Sequence, residues 1–420
     1  MSNISFKRAL FLWSLASIFF AFQFILRLSA GILREEITQK FAIDAASFGT
    51  LAGYYYLGYS GAQIPLGIML DRLSFRFVTS LAIATAAIGT FAFVATDSWN
   101  ILLFSRFLIG VGSGVAFLSV AKIIKSCFEE KYHSPMLGFS FSFGLVGAVF
   151  GATPMKYLFD KFGYDTVFSM LAVTGFIISA VILFLGKLDR NEETSTSKDT
   201  FSSVIKLILN PKIILIGISG GLMVGSLEGF ADVWAIPFFN QSFGLSKTDS
   251  TTITSFVYVG MCFGGPVLTI AASLLRSTNL MIFLTGILTI TIFVILFYIP
   301  GYYFNFAMSA ALMFFLGILC CYQVLVFIVT SESVDQNSTG LAIAVINCIN
   351  MSFGHFFHTI IGSAFELSWN GELTKSGSPL YTHENFIYAL AVIPICAFIG
   401  QFGFALLAAK KPEQTEYIAD

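Results

Sequence analysis

The chain has 420 residues, of which 56% are hydrophobic and only 11% charged, well below the roughly 25% charged residues of soluble domains. A soluble globule cannot hide that much apolar surface. The net charge of −1 gives no basic face for nucleic acid, so composition points to a lipid bilayer as solvent.

A hydrocarbon core about 30 Å thick takes roughly 20 apolar residues per spanning helix, and the sequence supplies twelve such segments. They lie near residues 9–31, 46–70, 77–97, 100–124, 135–157 and 166–186, then 212–239, 252–275, 279–299, 303–329, 340–364 and 386–408. The expected architecture is an all-α membrane protein with twelve transmembrane helices. The polar stretch 187–211, with Asn191-Glu-Glu-Thr-Ser-Thr-Ser-Lys-Asp199, separates a half at 1–186 from one at 212–409, and 410–420 forms a tail. With the N-terminus placed inside, fifteen of the 23 Lys and Arg fall on cytoplasmic segments and six outside, which fits the positive-inside rule and makes the termini, central loop and tail cytoplasmic. No small-residue cleavage site precedes Arg34, so the first helix is read as retained. The six cysteines lie in helices or at their cytoplasmic ends, a distribution that argues against a disulfide framework.

In chain order, the first unusual residue is Arg27, deep in the first helix. Its guanidinium fork matches a carboxylate or phosphate; alternatively it snorkels to the outer interface or pairs with Glu228. On the second helix Tyr55 and Tyr59 share a face, among Tyr54 and Tyr56, and either line a cavity or pack as belt residues. The helix ends in Gly67-Ile-Met-Leu-Asp71-Arg72-Leu-Ser74-Phe-Arg76, three charges in a tight turn between apolar segments.

That turn resembles the signature loop of the major facilitator superfamily, with Ser74 and Phe77 where the usual pattern has a glycine and a second basic residue. The resemblance implies two pseudo-symmetric six-helix halves that rock around a central site, with Gly67, Asp71, Arg72 and Arg76 as a gating motif that latches them. Arg106-Phe-Leu-Ile-Gly110-Val-Gly112-Ser-Gly114 on the fourth helix resembles the family's second signature. A buried Arg106 would either hydrogen-bond nearby carbonyls or assist proton coupling. The fifth helix carries Gly144, Gly147, Gly151 and Pro154 without the contiguous Gly-Pro step of the family's drug antiporters. Gly264-Gly265-Pro266 through Arg276 is similar to a decayed copy of the first signature, lacking its aspartate. Arg27 resembles the anion-binding arginine of the family's organic-anion symporters, with Leu26 where those often have an acid. Gly53-Tyr-Tyr-Tyr-x-x-Tyr and Gln63-Ile-Pro65-x-Gly67 are loosely similar to nutrient carriers of intracellular bacteria and to lysosomal dipeptide carriers.

The seventh helix places Glu228 and Asp232 four residues apart, on one face. Both are candidates for proton coupling; Trp234 and Pro237 suggest an interfacial end nearby, which makes Glu228 the deeper group and leaves Asp232 a possible solvated rim residue. Tyr322 and Gln323 on the tenth helix and Asn347 on the eleventh are candidate substrate-binding polar groups, with Asn350 close by. His355 and His358 are read as core hydrogen-bonding histidines ahead of a proton relay, since no third and fourth metal ligand accompany them. No Gly-x-x-x-x-Gly-Lys-Ser/Thr and no catalytic triad is present. The expectation is a non-enzymatic, cofactor-free and metal-free carrier in a bacterial inner membrane. It would import a small anionic or zwitterionic organic solute (organic acid, amino acid or peptide) with protons, having the bilayer around it and no obligate protein partner. The alternatives are an exporter or importer of a polycarboxylate siderophore and, in another class, a non-transporting membrane sensor.

Overall fold

The computed structural model describes residues 5–188, 200–299, 301, 304–335, 338–373 and 379–409. The tail at 410–420 and the polar run Asn191–Asp199 lie outside the described residues.

The first half starts with α1 (Phe6–Ile32), whose N-cap Ser5 accepts from the Arg8 N–H, and runs almost without a break into the short α2 (Arg34–Phe41). Asp44 caps α3 (Ala45–Arg72) by accepting from the Ser47 N–H. There follow α4 (Phe75–Ala95), α5 (Trp99–Ser113) with α6 (Ala116–Cys127), α7 (Glu130–Phe150) with α8 (Thr153–Phe162), and α9 (Tyr164–Leu185). Within the central segment α10 (Thr200–Ile208) buries Val204 and Leu207, so the expected loop is partly helical. The second half contains α11 (Pro211–Met223), a 3₁₀ turn (Val224–Ser226), a π-helical stretch (Leu227–Trp234) and α12 (Ala235–Ser242), which together make one span. It continues with α13 (Lys247–Leu274), α14 (Thr278–Tyr298), α15 (Phe306–Cys320) with α16 (Tyr322–Ser331), α17 (Thr339–Ser368), and α18 (His383–Leu390) with α19 (Val392–Ala409).

Eleven spans among the described residues are long and apolar enough to cross a membrane. The twelfth expected one, α3, has 28 residues but falls outside that apolar set. It carries Tyr55, Tyr56, Tyr59, Ser60 and Gln63, all buried. Its polar groups face protein, where backbone and side chains can satisfy them. The chain is a multi-pass membrane protein.

The two halves repeat a packing detail. A Cβ on Gly110 of α5 would lie 2.0 Å from the Tyr55 carbonyl oxygen of α3, and one on Gly317 of α15 would lie 1.9 Å from the Val257 carbonyl oxygen of α13. Only glycine admits such backbone approach. The repeat extends to Tyr56-Leu-Gly58 and Tyr258-Val-Gly260, whose glycines press on the Phe107 and Phe314 carbonyls at 2.2 and 2.0 Å by the same measure.

Between the halves, α3 packs along α17, α7 along α13, and α1 on the π-helical stretch. Among the described residues, a set of polar links across this seam lies at the end remote from the N-terminus. Glu366 Oε1 accepts from the Ala45 N–H at 3.0 Å, Lys247 pairs with Glu35 and Glu36 at 3.2 and 3.0 Å, and the Thr153 and Thr252 hydroxyls meet at 3.1 Å. Cys348 Sγ on the Ser60 carbonyl, 3.1 Å, is a link nearer the middle. Past it α3 exposes Pro65, Asp71 and Arg72. The bundle is closed at the remote end.

Replacing Gly110 by alanine forces α3 and α5 apart, and overpacking of this kind costs about 1–3 kcal/mol. Gly138→Ala, whose Cβ would meet nothing within 4 Å, is the control. Thermal unfolding of the purified protein in detergent should show a lowered midpoint for Gly110→Ala and little change for Gly138→Ala.

Candidate functional site

The site forms where α1 meets the π-helical stretch. A Cβ on Gly31 would lie 2.3 Å from the Asp232 carbonyl oxygen, so a glycine is what lets the two backbones touch. Arg27 precedes Gly31 by four residues and shares its helix face. The face pressed on the seventh span therefore delivers a guanidinium to it. On that span Glu228 and Asp232 lie on one face in the π winding too, and both meet Arg27.

Arg27 Nη2 donates to Glu228 Oε2, and Arg27 Nε donates to Asp232 Oδ2 at 2.6 Å. Asp232 collects two further donors: the Tyr56 hydroxyl on Oδ2 and the Tyr258 hydroxyl on Oδ1 at 2.8 Å. Those tyrosines occupy equivalent places in the repeated Tyr-x-Gly, so each half contributes one hydroxyl to the same carboxylate. Phe24 and Tyr56 flank the Arg27 guanidinium, 5.6 and 5.2 Å from its carbon. Arg106 donates from Nη1 to the Leu26 carbonyl at 2.8 Å and from Nη2 to the Arg27 carbonyl at 2.6 Å. It grips α1 at the turn that carries Arg27. Relative exposures are 7% for Arg27, 3% for Arg106, 1% for Glu228 and 4% for Asp232.

Two guanidiniums and two carboxylates thus share one buried cluster, and fully ionised they sum to zero. Burial of an unbalanced charge is severely disfavoured, whereas a paired and hydrogen-bonded set is tolerated.

The structure brings Arg27, Glu228, Asp232 and Arg106 together, with Arg27 taking the pairing alternative and Arg106 the carbonyl-binding one. Asp232 is buried and does not sit at a solvated rim. Trp234 and Pro237 are buried as well, since the span continues through Ser242, so they do not mark an interfacial end. Tyr55 donates to Gln23 Oε1 at 2.8 Å and lies under Arg106, and Tyr59 packs 6.0 Å from Tyr55. Tyr322 is spent on the Gly220 carbonyl at 2.7 Å. Gln323 keeps its buried Nε2 unpartnered, Asn347 is half-buried, and the neighbouring Asn350 is buried with both amide atoms unpartnered. None of Tyr322, Gln323 and Asn347 bonds to the charged cluster among the described residues. His358 is buried with both ring nitrogens unpartnered, 5.4 Å from the Tyr56 ring. No group of three His, Cys, Asp or Glu among the described residues is arranged to hold a metal.

The gating turn stands apart from the charged cluster. Asp71 and Arg72 are exposed, Arg76 stacks 4.7 Å over Phe77, and no ion pair involves Asp71 among the described residues.

The sequence put Tyr56 among the second-helix tyrosines without singling it out, and did not point to Tyr258, Gln23 or Gly31 as site residues. The repeated Tyr-x-Gly was the available signal for the two tyrosines.

Residues 13–358 match the profile of the Major Facilitator Superfamily. A probable galactarate/D-glucarate transporter of Bacillus subtilis is 23% identical over 163 residues, 37% of this chain and 36% of that protein. The 4-hydroxybenzoate transporter of Pseudomonas aeruginosa is 24% identical over 183 residues, 43% of this chain and 40% of that protein. A probable chloroplastic anion transporter of Arabidopsis thaliana is 26% identical over 164 residues, 39% and 31% of the two chains. The chain thus spans well under two thirds of the length of these curated relatives. Among solved structures, a bacterial homolog of the human lysosomal transporter Spinster superposes with a TM-score of 0.72 at 15% identity, covering 97% of this chain and 98% of that one. The nucleoside transporter NupG gives 0.76 at 13% identity, covering 94% and 99%. These likenesses establish the fold.

Charge balance in the cluster has a direct test. Arg27→Gln and Glu228→Gln each leave one buried charge uncompensated, and breaking a buried pair costs about 3–5 kcal/mol. The double variant restores neutrality, so its loss in unfolding free energy should fall short of the summed single losses by more than about 1 kcal/mol in a double-mutant cycle.

Proposed function

The chain belongs to the major facilitator superfamily, and from that premise we propose that it is a proton-coupled carrier that imports a small organic anion through the inner membrane of a bacterium by alternating access. The observation that carries this reading is the neutral buried cluster. An incoming carboxylate that takes Arg27 must displace the carboxylates already there and adds one negative charge to a balanced set. A proton taken up with it restores the balance.

The donor count supports Glu228 as the proton carrier. When Arg27 turns to substrate, Asp232 still accepts from Tyr56 and Tyr258, whereas Glu228 has lost the guanidinium that held it. A buried carboxylate without donors is stable only as the neutral acid, so Glu228 carries the proton and Asp232 remains charged. Substrate anion on Arg27 together with a protonated Glu228 is then the neutral combination in which the halves can rock. The closed remote end corresponds to the state facing the cytoplasm, in keeping with the excess of Lys and Arg on the terminus-bearing side. Relatives whose names include galactarate, 4-hydroxybenzoate and anion transport support an organic acid ahead of a peptide or amino acid.

Proteoliposomes with an acidic exterior should accumulate a labelled acid from a panel that includes galactarate and 4-hydroxybenzoate, and a protonophore should abolish accumulation. Arg27→Ala should lose transport. Glu228→Gln should lose gradient-driven accumulation while retaining exchange of labelled for unlabelled substrate. Accumulation that survives in Glu228→Gln removes the proton role, and uptake unchanged in Arg27→Ala removes the anion site.

A further inference from the structure

Arg34 is a buried cation that the carrier mechanism does not use. It stands at the remote, closed end with 8% of its surface exposed, and among the described residues it makes no hydrogen bond and no ion pair. Its Nε is buried and unpartnered. The guanidinium carbon lies 5.1, 6.0 and 5.8 Å from the rings of Trp234, Phe48 and Tyr381. Aromatic faces offset part of the cost of burying a cation, yet they accept none of the five N–H groups a guanidinium offers.

None of the nearby acids bonds Arg34 among the described residues, although Glu36 Oε2 is buried without a partner. Glu35 and Glu36 hold Lys247, and Glu366 Oε1 accepts from the Ala45 N–H and, at 2.6 Å, from the Tyr381 hydroxyl. Burial and that bond to Glu366 push the Tyr381 phenol above its ordinary range, so it stays a neutral donor. Arg34 is a positive charge that no carboxylate bonds among the described residues, beside a Glu366 held by neutral donors alone.

Its position relative to Arg27 gives that charge a direction. The Leu33 N–H donates to the Ser29 carbonyl at 3.3 Å and the Ile37 N–H to the Leu33 carbonyl at 2.9 Å, so helical winding passes through the junction of α1 and α2. Seven residues are close to two whole turns, which puts Arg27 and Arg34 on one face about 10 Å apart along the axis. Both look at the seventh span: Arg27 at Glu228 and Asp232, Arg34 at Trp234. Phe48 belongs to the first half, with Arg34, while Trp234 and Tyr381 belong to the second. Parting the halves at this end strips two walls from the cage and leaves Arg34 facing water with no carboxylate bonded to it.

We propose that Arg34 is an outer docking station for the carboxylate of the cargo. The anion binds Arg34 when the remote end opens, passes to Arg27 two turns deeper, and the cage of Trp234, Phe48 and Tyr381 closes over the vacated guanidinium. The transfer step rests on the anion-carrier reading; the assay below tests the anion site by itself.

The chain has four tryptophans, Trp13, Trp99, Trp234 and Trp369. Replacing the other three by phenylalanine leaves Trp234 as a reporter beside Arg34. In lipid nanodiscs at constant ionic strength, its fluorescence is quenched with iodide, with caesium and with neutral acrylamide. A local positive potential concentrates anions about tenfold or more. Arg34→Gln should therefore lower the Stern–Volmer constant for iodide by about that factor and leave acrylamide quenching unchanged. Arg34→Lys should keep most of the iodide effect, and Arg27→Gln should keep all of it. Equal iodide quenching with and without Arg34, whether strong or absent, overturns the proposal, as does a parallel loss of acrylamide quenching. If Arg34→Gln does not fold, the parent protein decides: iodide well above caesium supports the site, and parity rejects it. Normal iodide quenching without proton-driven uptake of any acid would reject the carrier reading and leave the anion site standing.

Discussion

Charge neutrality in a medium that cannot screen is the constraint on which the rest depends. Two arginines in the first half and two carboxylates in the second cancel one another inside the bundle, with no bulk water to make good an imbalance. The pairing is a poor source of stability, since desolvation consumes much of the attraction. What it provides is a rule about composition: whatever enters must arrive with a compensating charge. On the proposed carrier reading, coupling between solute and proton would follow from electrostatics, without a dedicated relay.

Small residues make the rule enforceable. Gly31 brings α1 onto the backbone of Asp232, and Gly110 and Gly317 bring α5 and α15 onto α3 and α13. A side chain at any of these positions would hold the helices apart, and the hydroxyls of Tyr56 and Tyr258 would no longer reach one carboxylate together. Duplicated scaffolds thus converge on a centre that is not itself duplicated. Hydroxyls come from both halves, the arginines from one and the acids from the other.

Composition and helical length made the membrane class and the helical architecture legible, and an arginine or glutamate within an apolar run announces itself because burial is so unfavourable. That signal found Arg27, Arg106 and Glu228. It placed Asp232 ambiguously, because Trp234 and Pro237 are as much at home in a packed core as at an interface, and only the continuation of the helix through Ser242 separates the two. It gave undue weight to Tyr322, Gln323 and Asn347, since a polar residue in an apolar helix states that it needs a partner but not which one. It did not single out Tyr56 and missed Tyr258, whose importance comes from a contact between segments far apart in the chain. Arg34 was counted among outer-loop charges because α2 is short and polar, and its burial depends on Trp234 and Tyr381 folding over it.

The π-helical stretch Leu227–Trp234 has a consequence of a different kind. Its wide winding fits more residues into each turn than an α-helix does, a form that occurs frequently at functional sites. Removing one residue there would let the winding tighten to about 3.6 residues per turn, and Glu228, Asp232 and Trp234 would change places relative to the first-half side chains they face. The stretch is therefore constrained in length as well as in composition. Its residues are all buried, so a side-chain change is felt through packing, whereas a one-residue deletion would be felt through the spacing of the whole site.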